Sequence, residues 1–185
     1  MQTGFARTGE KYWGFETQGV TPDIVTMAKG IGNGAPLAAV ATRPEIAQKL
    51  SEKIHFNTFG GNPVSCAMGK AVIEVIDQEN IQQNVKEVGA YLMAGYNKLM
   101  AKHNVIGDVR GKGLMTGMEL VKDRNTKEPA STEAAQVFER SKDLGLLIAK
   151  GGLYGNVLRI KPPMCINKAD IDFMIEVLDI ALGEL

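Results

Sequence analysis

The apolar positions near the start of the chain predict two short strands separated by a glycine-rich turn. Residues 22–28 form a run rich in β-branched side chains that ends at Lys29, which predicts a buried strand with a lysine at its end. Residues 30–34 contain too many glycines for a helix or a strand. A second apolar run follows at 37–41 and predicts the second strand.

Two helices are predicted after these strands. Thr42 precedes Glu45 by three residues with Pro44 between them, a spacing that predicts a capping box and a helix through Leu50. A longer helix follows Pro63, where apolar side chains recur at three- and four-residue spacing. Its predicted buried face consists of Val64, Ala67, Met68, Val72, Val75 and Ile76.

A third helix carries a single apolar stripe, and a break at 77–80 separates it from the helix before. The stripe consists of Val85, Val88, Leu92 and Leu99. We expect the border between two domains at this break, with one domain at 1–80 and a second at 81–185.

Strands and helices alternate in the remainder of the chain, which predicts an α/β or α+β layer with helices covering a sheet. The predicted strands are 114–121, 146–149 and 157–160, and the predicted helices are 132–144 and 168–184. The predicted buried face of the last helix consists of Ile171, Met174, Ile175, Leu178 and Leu182. Charged residues and Pro129 predict a surface loop at 122–131.

The composition of the chain argues against nucleic acids and membranes as binding partners. The chain has 21 basic and 21 acidic residues, so no net charge attracts nucleic acid or an anionic membrane. No apolar run approaches the length of a membrane span, and we expect no targeting segment within this sequence. Cys66 and Cys165 fit neither a redox pair nor a four-ligand metal site, and we expect both to be reduced core residues and no metal to be bound.

Lys29 is the first candidate for chemistry. Burial of a lysine amine disfavours its charged form, which would provide the neutral amine that condenses with an aldehyde. Taken alone, however, this pattern more often marks a lysine stem that covers apolar surface. The glycines at 30–34 match only the beginning of a dinucleotide-binding fingerprint, so nucleotide binding is the weaker alternative.

The chain resembles the class III aminotransferases, which are pyridoxal-phosphate enzymes of fold type I. The resemblance lies in QTGFARTG at 2–9, PDIVTMAKGIGNGAPLAAV at 22–40, HFNTFGGNP at 55–63, GDVRGKGLMTGMEL at 107–120 and LRIKPPMCI at 158–166. The sequences of several segments are most similar to the mitochondrial alanine:glyoxylate type. This implies an α/β fold in which 1–80 ends the large cofactor-binding domain and 81–185 forms a small C-terminal α+β domain.

The resemblance also implies roles for four residues. Lys29 would carry pyridoxal phosphate as a Schiff base and would move the proton of the substrate Cα. Thr58 would reach across a dimer interface to the cofactor phosphate of the other subunit, although such a threonine otherwise indicates an ordinary turn. Arg159 would bind the substrate carboxylate, unless an internal acidic residue pairs with it. Gln2 would lie near the phenolic oxygen of the cofactor.

The implied activity is amino transfer from alanine to glyoxylate, giving pyruvate and glycine. The implied assembly is a mitochondrial homodimer or a tetramer of dimers, with small amino acids and oxo acids as its substrates. Two alternatives stay open: an inactive fragment or dimerisation partner, and a class III transaminase of the ω-amine or ornithine type.

One departure from the family pattern concerns the beginning of the sequence. The family has Asp-Glu-Val before QTGF, and its aspartate pairs with the pyridine nitrogen, whereas Met1 stands at the valine position here. We therefore expect the 185-residue chain by itself to bind pyridoxal phosphate poorly. We also expect it to expose apolar side chains such as Val64, Met68 and Val72.

Overall fold

A computed structural model describes residues 2–185, and Met1, which was compared above with a family valine, lies outside them. The chain divides into two compact units, Met1–Gln82 and Gln83–Leu185. Among residues 2–185, no helix combines the length and the apolar character needed to cross a lipid bilayer. The assignment of these stretches to a large and a small domain stays a prediction.

The first unit contains a two-stranded ribbon and two α-helices. Strand β1 (Ile24–Met27) pairs antiparallel with strand β2 (Ala39–Thr42). Helices α1 (Pro44–Ser51) and α2 (Pro63–Gln78) follow. One turn of 3-10 helix, Lys29–Ile31, begins after Ala28, where the glycine-rich sequence predicted no helix.

The predicted capping box of α1 is wrong, although the helix ends within one residue of the predicted position. Thr42 is the last residue of β2, and its hydroxyl donates to the carbonyl oxygen of Asp23 at 2.8 Å. The N-cap is Arg43, whose guanidinium bonds Glu45 at 2.9 Å, and no side chain caps the helix. Because Thr42 is still paired in the ribbon, its hydroxyl serves the strand and not the helix.

Apolar side chains of the first unit are mostly uncovered. In α2 only Gly69 and Ile76 are buried, whereas Val64 is 61% exposed and Met68 48% exposed. The predicted buried face of α2 and the predicted burial of β1 are therefore wrong, because a ribbon of two strands is too narrow to cover them. The expectation of exposed apolar side chains holds for Val64 and Met68.

A cluster of four aromatic rings organises residues 5–15. The Phe5 and Trp13 rings meet edge to face with centroids 4.8 Å apart, and Trp13 stacks on Phe15 at 6.3 Å. Tyr12 completes the cluster, 5.2 Å from Trp13. The Ala6 N–H donates to the Tyr12 carbonyl oxygen at 3.1 Å, so the segment is a closed loop.

The second unit is built on a four-stranded antiparallel sheet in the order β3-β4-β6-β5. The strands are β3 (Ile106–Lys112), β4 (Met115–Leu120), β5 (Ala149–Gly151) and β6 (Val157–Ile160). The sequence pattern missed β3, because the glycines at 107 and 111 interrupt its alternation. Strand β5 lies later than the predicted 146–149.

Three helices complete this unit: α3 (Ile81–Lys102), which begins just before the border, α4 (Ser131–Asp143) and α5 (Lys168–Gly183). The predicted stripe of α3 is buried at all four positions, together with Tyr96. Helix α5 buries its predicted face except for Ile175, which is half-buried. Both cysteines are free and exposed, so the prediction that they lie in the core is wrong.

A buried chain of hydroxyl groups links α3 to the sheet. The Thr116 hydroxyl donates to the carbonyl oxygen of Ile160 at 3.0 Å, and the Tyr96 hydroxyl lies 3.3 Å from the Thr116 oxygen. Because the Thr116 proton is already used, Tyr96 is the donor of the second bond. Burial raises the pKa of Tyr96, which keeps its proton in place.

Candidate active site

Lys29 occupies a turn in which its backbone is strained. It lies two residues after the last residue of β1 and has φ 57°, a left-handed value that is uncommon for residues other than glycine. Such conformations cost about 1 to 3 kcal/mol and concentrate at functional sites. The side chain is exposed and not buried as predicted, and β1 itself contains no fully buried residue.

Close contacts hold this turn in place from three sides. A methyl group built on Gly30 would lie 3.4 Å from the Phe5 ring, so the aromatic cluster packs against the residue that follows Lys29. A methyl group on Gly32 would meet the Ala35 carbonyl oxygen at 2.3 Å, and one on Gly69 of α2 would meet Leu37 at the same distance. The Gly32 position therefore excludes a side chain, because the clash there is with backbone, whereas Phe5 packs on Gly30 at an ordinary contact distance.

Gln2 lies at the start of the segment that carries Phe5. It is exposed in a turn, and the Phe5 contact with Gly30 brings this segment beside the Lys29 turn. The structure therefore groups two of the predicted site segments, 2–9 and 22–40, in the first unit.

Thr58 stands on an exposed loop that leads into α2. The side-chain oxygen of Asn57 accepts from the Phe59 N–H at 3.1 Å, and the Gly60 N–H donates to the Asn57 carbonyl oxygen at 3.0 Å. Asn62 then caps α2 by accepting from two backbone N–H groups. The turn presents the Thr58 hydroxyl to the surroundings, flanked by Phe56 and Phe59, which are 84% and 79% exposed.

Arg159 lies in the second unit, in the middle of β6. Its neighbours Leu158 and Ile160 point into the core, whereas Arg159 is exposed on the other face of the sheet. It also lines a groove of about 750 Å³ between the end of β6, the segment before β5 and the start of α5. The lining combines apolar side chains, such as Leu147 and Phe173, with a few charged ones.

The sequence pattern did not identify the other charged residues of this groove. Lys161 and Asp170 both contribute to its lining. Asp170 also accepts from the Asn167 N–H at 2.9 Å as part of the capping box of α5. That box is visible in the sequence, but only the fold shows that it stands at the groove that Arg159 lines.

Comparison with known proteins identifies relatives over the whole chain. The family model described as aminotransferase class-III matches residues 1–182. Alanine–glyoxylate aminotransferase 2 homolog 2, mitochondrial, from Arabidopsis thaliana is 54% identical over 100% of this chain and 39% of its own length. The human alanine–glyoxylate aminotransferase 2, mitochondrial, is 52% identical over 100% of this chain and 36% of its own length.

The relatives differ in the chemistry that their names describe. Ethanolamine-phosphate phospho-lyase homolog 1 of Caenorhabditis elegans is 45% identical over 97% of this chain and 39% of its own length. Among solved structures, a Bacillus anthracis aminotransferase superposes with a TM-score of 0.92 at 39% identity. That comparison covers 99% of this chain and 43% of the other, and it confirms the predicted fold of type I aminotransferases. The chain thus spans well under half the length of these relatives.

Proposed function

The chain belongs to the class-III aminotransferases, a family that depends on pyridoxal phosphate, and from this premise we propose that it contributes to an enzyme that transfers the amino group of alanine to glyoxylate. The observation that carries the proposal is the Lys29 turn. An exposed primary amine on a strained backbone lies just beyond the end of a strand and is followed by a glycine-rich loop. Two relatives named for the same activity are more than half identical to the chain.

The donor groups of the described residues suit this cofactor. The amine of Lys29 can bind an aldehyde covalently, and it is exposed enough for a ligand to reach it. The hydroxyl of Thr58 can donate to a phosphate oxygen, and the amide of Gln2 can donate to a phenolic oxygen. We propose that Lys29 and Gln2 hold one cofactor, while Thr58 holds the phosphate of the cofactor in a second copy of the chain.

The protein side chains then divide the chemistry between them. When bound, the cofactor draws electrons from the substrate Cα and makes its proton acidic. The Lys29 nitrogen would accept that proton as a general base. It would then return the proton, as a general acid, to the neighbouring carbon of the cofactor. Arg159 orients the substrate, because its planar fork offers two parallel N–H donors to a carboxylate.

We further propose a homodimer, or a tetramer of dimers, in mitochondria. Support for the assembly comes from the exposed Thr58 loop, where two large aromatic side chains lie open to the surroundings. Support for the location comes from the names of the Arabidopsis and human relatives, which place those proteins in mitochondria.

Covalent trapping tests the role of Lys29. Because the chain covers 39% of the Arabidopsis relative, we would replace the matching stretch of that protein by residues 2–185 and load the hybrid with pyridoxal phosphate. Borohydride reduction and peptide mapping should place the cofactor on Lys29. Lys29→Ala should lower turnover by on the order of a thousandfold or more, since both its covalent bond and its proton transfer are lost. Lys70→Ala, on the exposed side of α2, is the matched control, and label on Lys70 or Lys112 would refute the assignment.

A second candidate activity is elimination of phosphate from a phosphorylated amine. It is favoured by the 45% identity to the Caenorhabditis elegans protein named as an ethanolamine-phosphate phospho-lyase homolog, and a guanidinium such as that of Arg159 can also bind phosphate. Parallel assays of the hybrid with alanine, ornithine, an ω-amine and ethanolamine phosphate distinguish these activities. Phosphate release without amino transfer would replace the proposed function by the lyase activity.

A further inference from the structure

The register of the second unit's sheet places four residues in one row on its exposed face. Arg110 of β3 pairs with Gly117 of β4, Gly117 pairs with Arg159 of β6, and Arg159 pairs with Ala149 of β5. Directly paired residues of antiparallel strands point to the same face. Arg159 therefore has Gly117 on one side and Ala149 on the other, which are the two smallest residue types.

Position 117 adds no side chain beside Arg159, and Val157 already occupies part of the space next to it. A methyl group built on Gly117 would contact a Val157 methyl carbon at 3.3 Å and the Leu158 carbonyl oxygen at 3.9 Å, and it would meet no other atom within 4 Å. On the other side, Ala149 is exposed at the edge of the sheet and lines the same groove as Arg159. No side chain longer than a methyl group flanks the guanidinium stem within this row.

The other arginine of the row, Arg110, has two acidic neighbours. The Arg110 guanidinium lies 2.6 Å from a carboxylate oxygen of Asp108 and 2.6 Å from one of Glu119. These carboxylates raise the pKa of Arg110, first through Asp108. One row thus contains an arginine enclosed by acidic neighbours and, two strands away, an arginine flanked by glycine and alanine.

We infer that Gly117 and Ala149 determine specificity, because their small side chains keep the sides of Arg159 open to the carboxylate of a substrate. A longer acidic side chain at either position would bind the guanidinium first and would select against substrates that need it. The inference rests on the proposed role of Arg159 as the carboxylate-binding residue. Neither Gly117 nor Ala149 contacts substrate through a polar group, so the two act through Arg159.

Chemical modification of the 185-residue chain tests this directly. Phenylglyoxal reacts with accessible arginine side chains, and mass spectrometry gives the rate at Arg159 with Arg110 as the internal standard. Opposite charges that face each other across two strands interact by about 0.2 to 1 kcal/mol, so Ala149→Glu should slow modification of Arg159 by about two- to fivefold relative to Arg110. Ala149→Gln has nearly the same shape without the charge, and it should leave the ratio close to that of the unsubstituted chain.

Two outcomes of this comparison would overturn the inference. Equal rates for Ala149→Glu and the unsubstituted chain would mean that position 149 does not reach Arg159. Equal slowing by Glu and Gln would mean that the effect is steric and that charge competition plays no part. Position 149 lies on a short edge strand, and an unchanged circular dichroism spectrum of both variants shows that the sheet is intact.

Kinetics of the loaded hybrid protein extend the test to substrates. With L-alanine as donor, Ala149→Glu should raise KM by about two- to fivefold with little change in kcat, since the new carboxylate competes only for the guanidinium. Ethylamine, which lacks a carboxylate, should react as before.

If Ala149→Glu affects both donors equally, the specificity role is wrong, although the proposed transaminase activity still holds. If the unsubstituted hybrid transfers no amino group from either donor, the proposed function fails, and the modification rates still decide whether position 149 reaches Arg159.

Discussion

The two units of the chain use similar sequence patterns with opposite results. Helices α2 and α3 both repeat apolar residues at helical spacing, yet α3 buries its whole predicted stripe, while α2 buries Ile76 but exposes Val64 and Met68. Most of the buried apolar side chains of the described residues lie in the second unit. Amphipathic spacing therefore predicts which face of a helix is apolar. Whether that face is buried depends on whether other helices or strands of the chain pack against it.

The same contrast separates the two sheets. The second unit has four strands with one face closed by helices, whereas the first has a ribbon of two strands whose residues are exposed or half-buried. Isolated two-stranded ribbons are marginally stable in water. We infer that the second unit supplies most of the stability of the chain, while the first depends on further contacts.

The largest expected effect comes from a matched pair of leucine truncations. Leu92 in α3 is fully buried, and Leu50 in α1 is 54% exposed. Leu92→Ala should lower the free energy of unfolding by about 2 to 5 kcal/mol through the lost contacts and the cavity, while Leu50→Ala should change it by about 0.5 kcal/mol or less. Urea denaturation followed by circular dichroism measures both values. Comparable losses for the two variants would break the distinction between the units.

A substitution at Arg159 tests whether the second unit contributes binding and not only stability. Arg159→Lys removes the fork but keeps the charge. Hydrogen bonds to charged groups contribute about 1.5 to 3 kcal/mol, so KM for L-alanine should rise on the order of tenfold to a hundredfold in the loaded hybrid. The absorbance of the bound cofactor should be unchanged. If the variant unfolds instead, Arg159 serves an internal ion pair.

A matched pair of threonines gives a smaller effect. Thr116 is buried in the hydroxyl chain with Tyr96, whereas Thr42 makes its hydrogen bond on the exposed ribbon. Thr116→Val should cost about 1 to 2 kcal/mol, because a carbonyl and a tyrosine hydroxyl lose a buried partner. Thr42→Val should cost about 0.5 kcal/mol or less, since water replaces the lost bond. Thermal melts of the two variants, with Thr116→Ser as the conservative control, give the comparison.

The smallest effect is a pH dependence confined to the second unit. Lys102 first, and then His103, holds the pKa of the Asp179 carboxyl below its ordinary value of 3.8, with both contacts at 2.6 Å. A lowered folded-state pKa stabilises the protein above the ordinary value, and this contribution is lost as the pH falls through the folded-state pKa. Since the carboxylate is a third exposed, the contribution should be a few tenths of a kcal/mol.

Denaturation curves below and above pH 4 measure this dependence for the chain and for Asp179→Asn. The difference in stability between the two should shrink as the pH is lowered below the ordinary carboxyl value of 3.8. Lys102→Met, which removes the largest cause of the shift, should reduce the difference above pH 4, where the carboxylate is charged. A difference that does not change with pH would mean that Asp179 acts through packing alone.

Much of the fold was predictable where local pattern and tertiary packing agree. The extents of α4 and α5 and the burial of Val85 and Leu92 in α3 follow from periodicity, because these helices have partners within the same unit. Strand β3 was missed because glycines break its alternation. The predicted capping box was wrong because Thr42 belongs to the preceding strand, where its hydroxyl bonds the Asp23 carbonyl oxygen. The spacing of residues in the sequence does not reveal this bond.

For the candidate site, too, the sequence predicts individual residues but not which residues become neighbours in the fold. The resemblance assigned roles to single residues, and those roles stay predictions. The open row around Arg159 could not be read from the sequence, since Gly117 and Ala149 become its neighbours only through strand order and register. The strained backbone of Lys29 was equally hidden, because a lysine carries no sequence signal for a left-handed conformation.

The aromatic cluster of residues 5–15 also provides an optical label. Trp13 is the chain's single tryptophan, and its ring contacts Phe5, which in turn packs against the turn that carries Lys29. Its fluorescence therefore reports on the first unit alone, whereas the three helices of the second unit dominate the far-ultraviolet circular dichroism. Emission and dichroism recorded on one heated sample would show whether the first unit melts at a lower temperature than the helices as a whole, without any added dye or substitution.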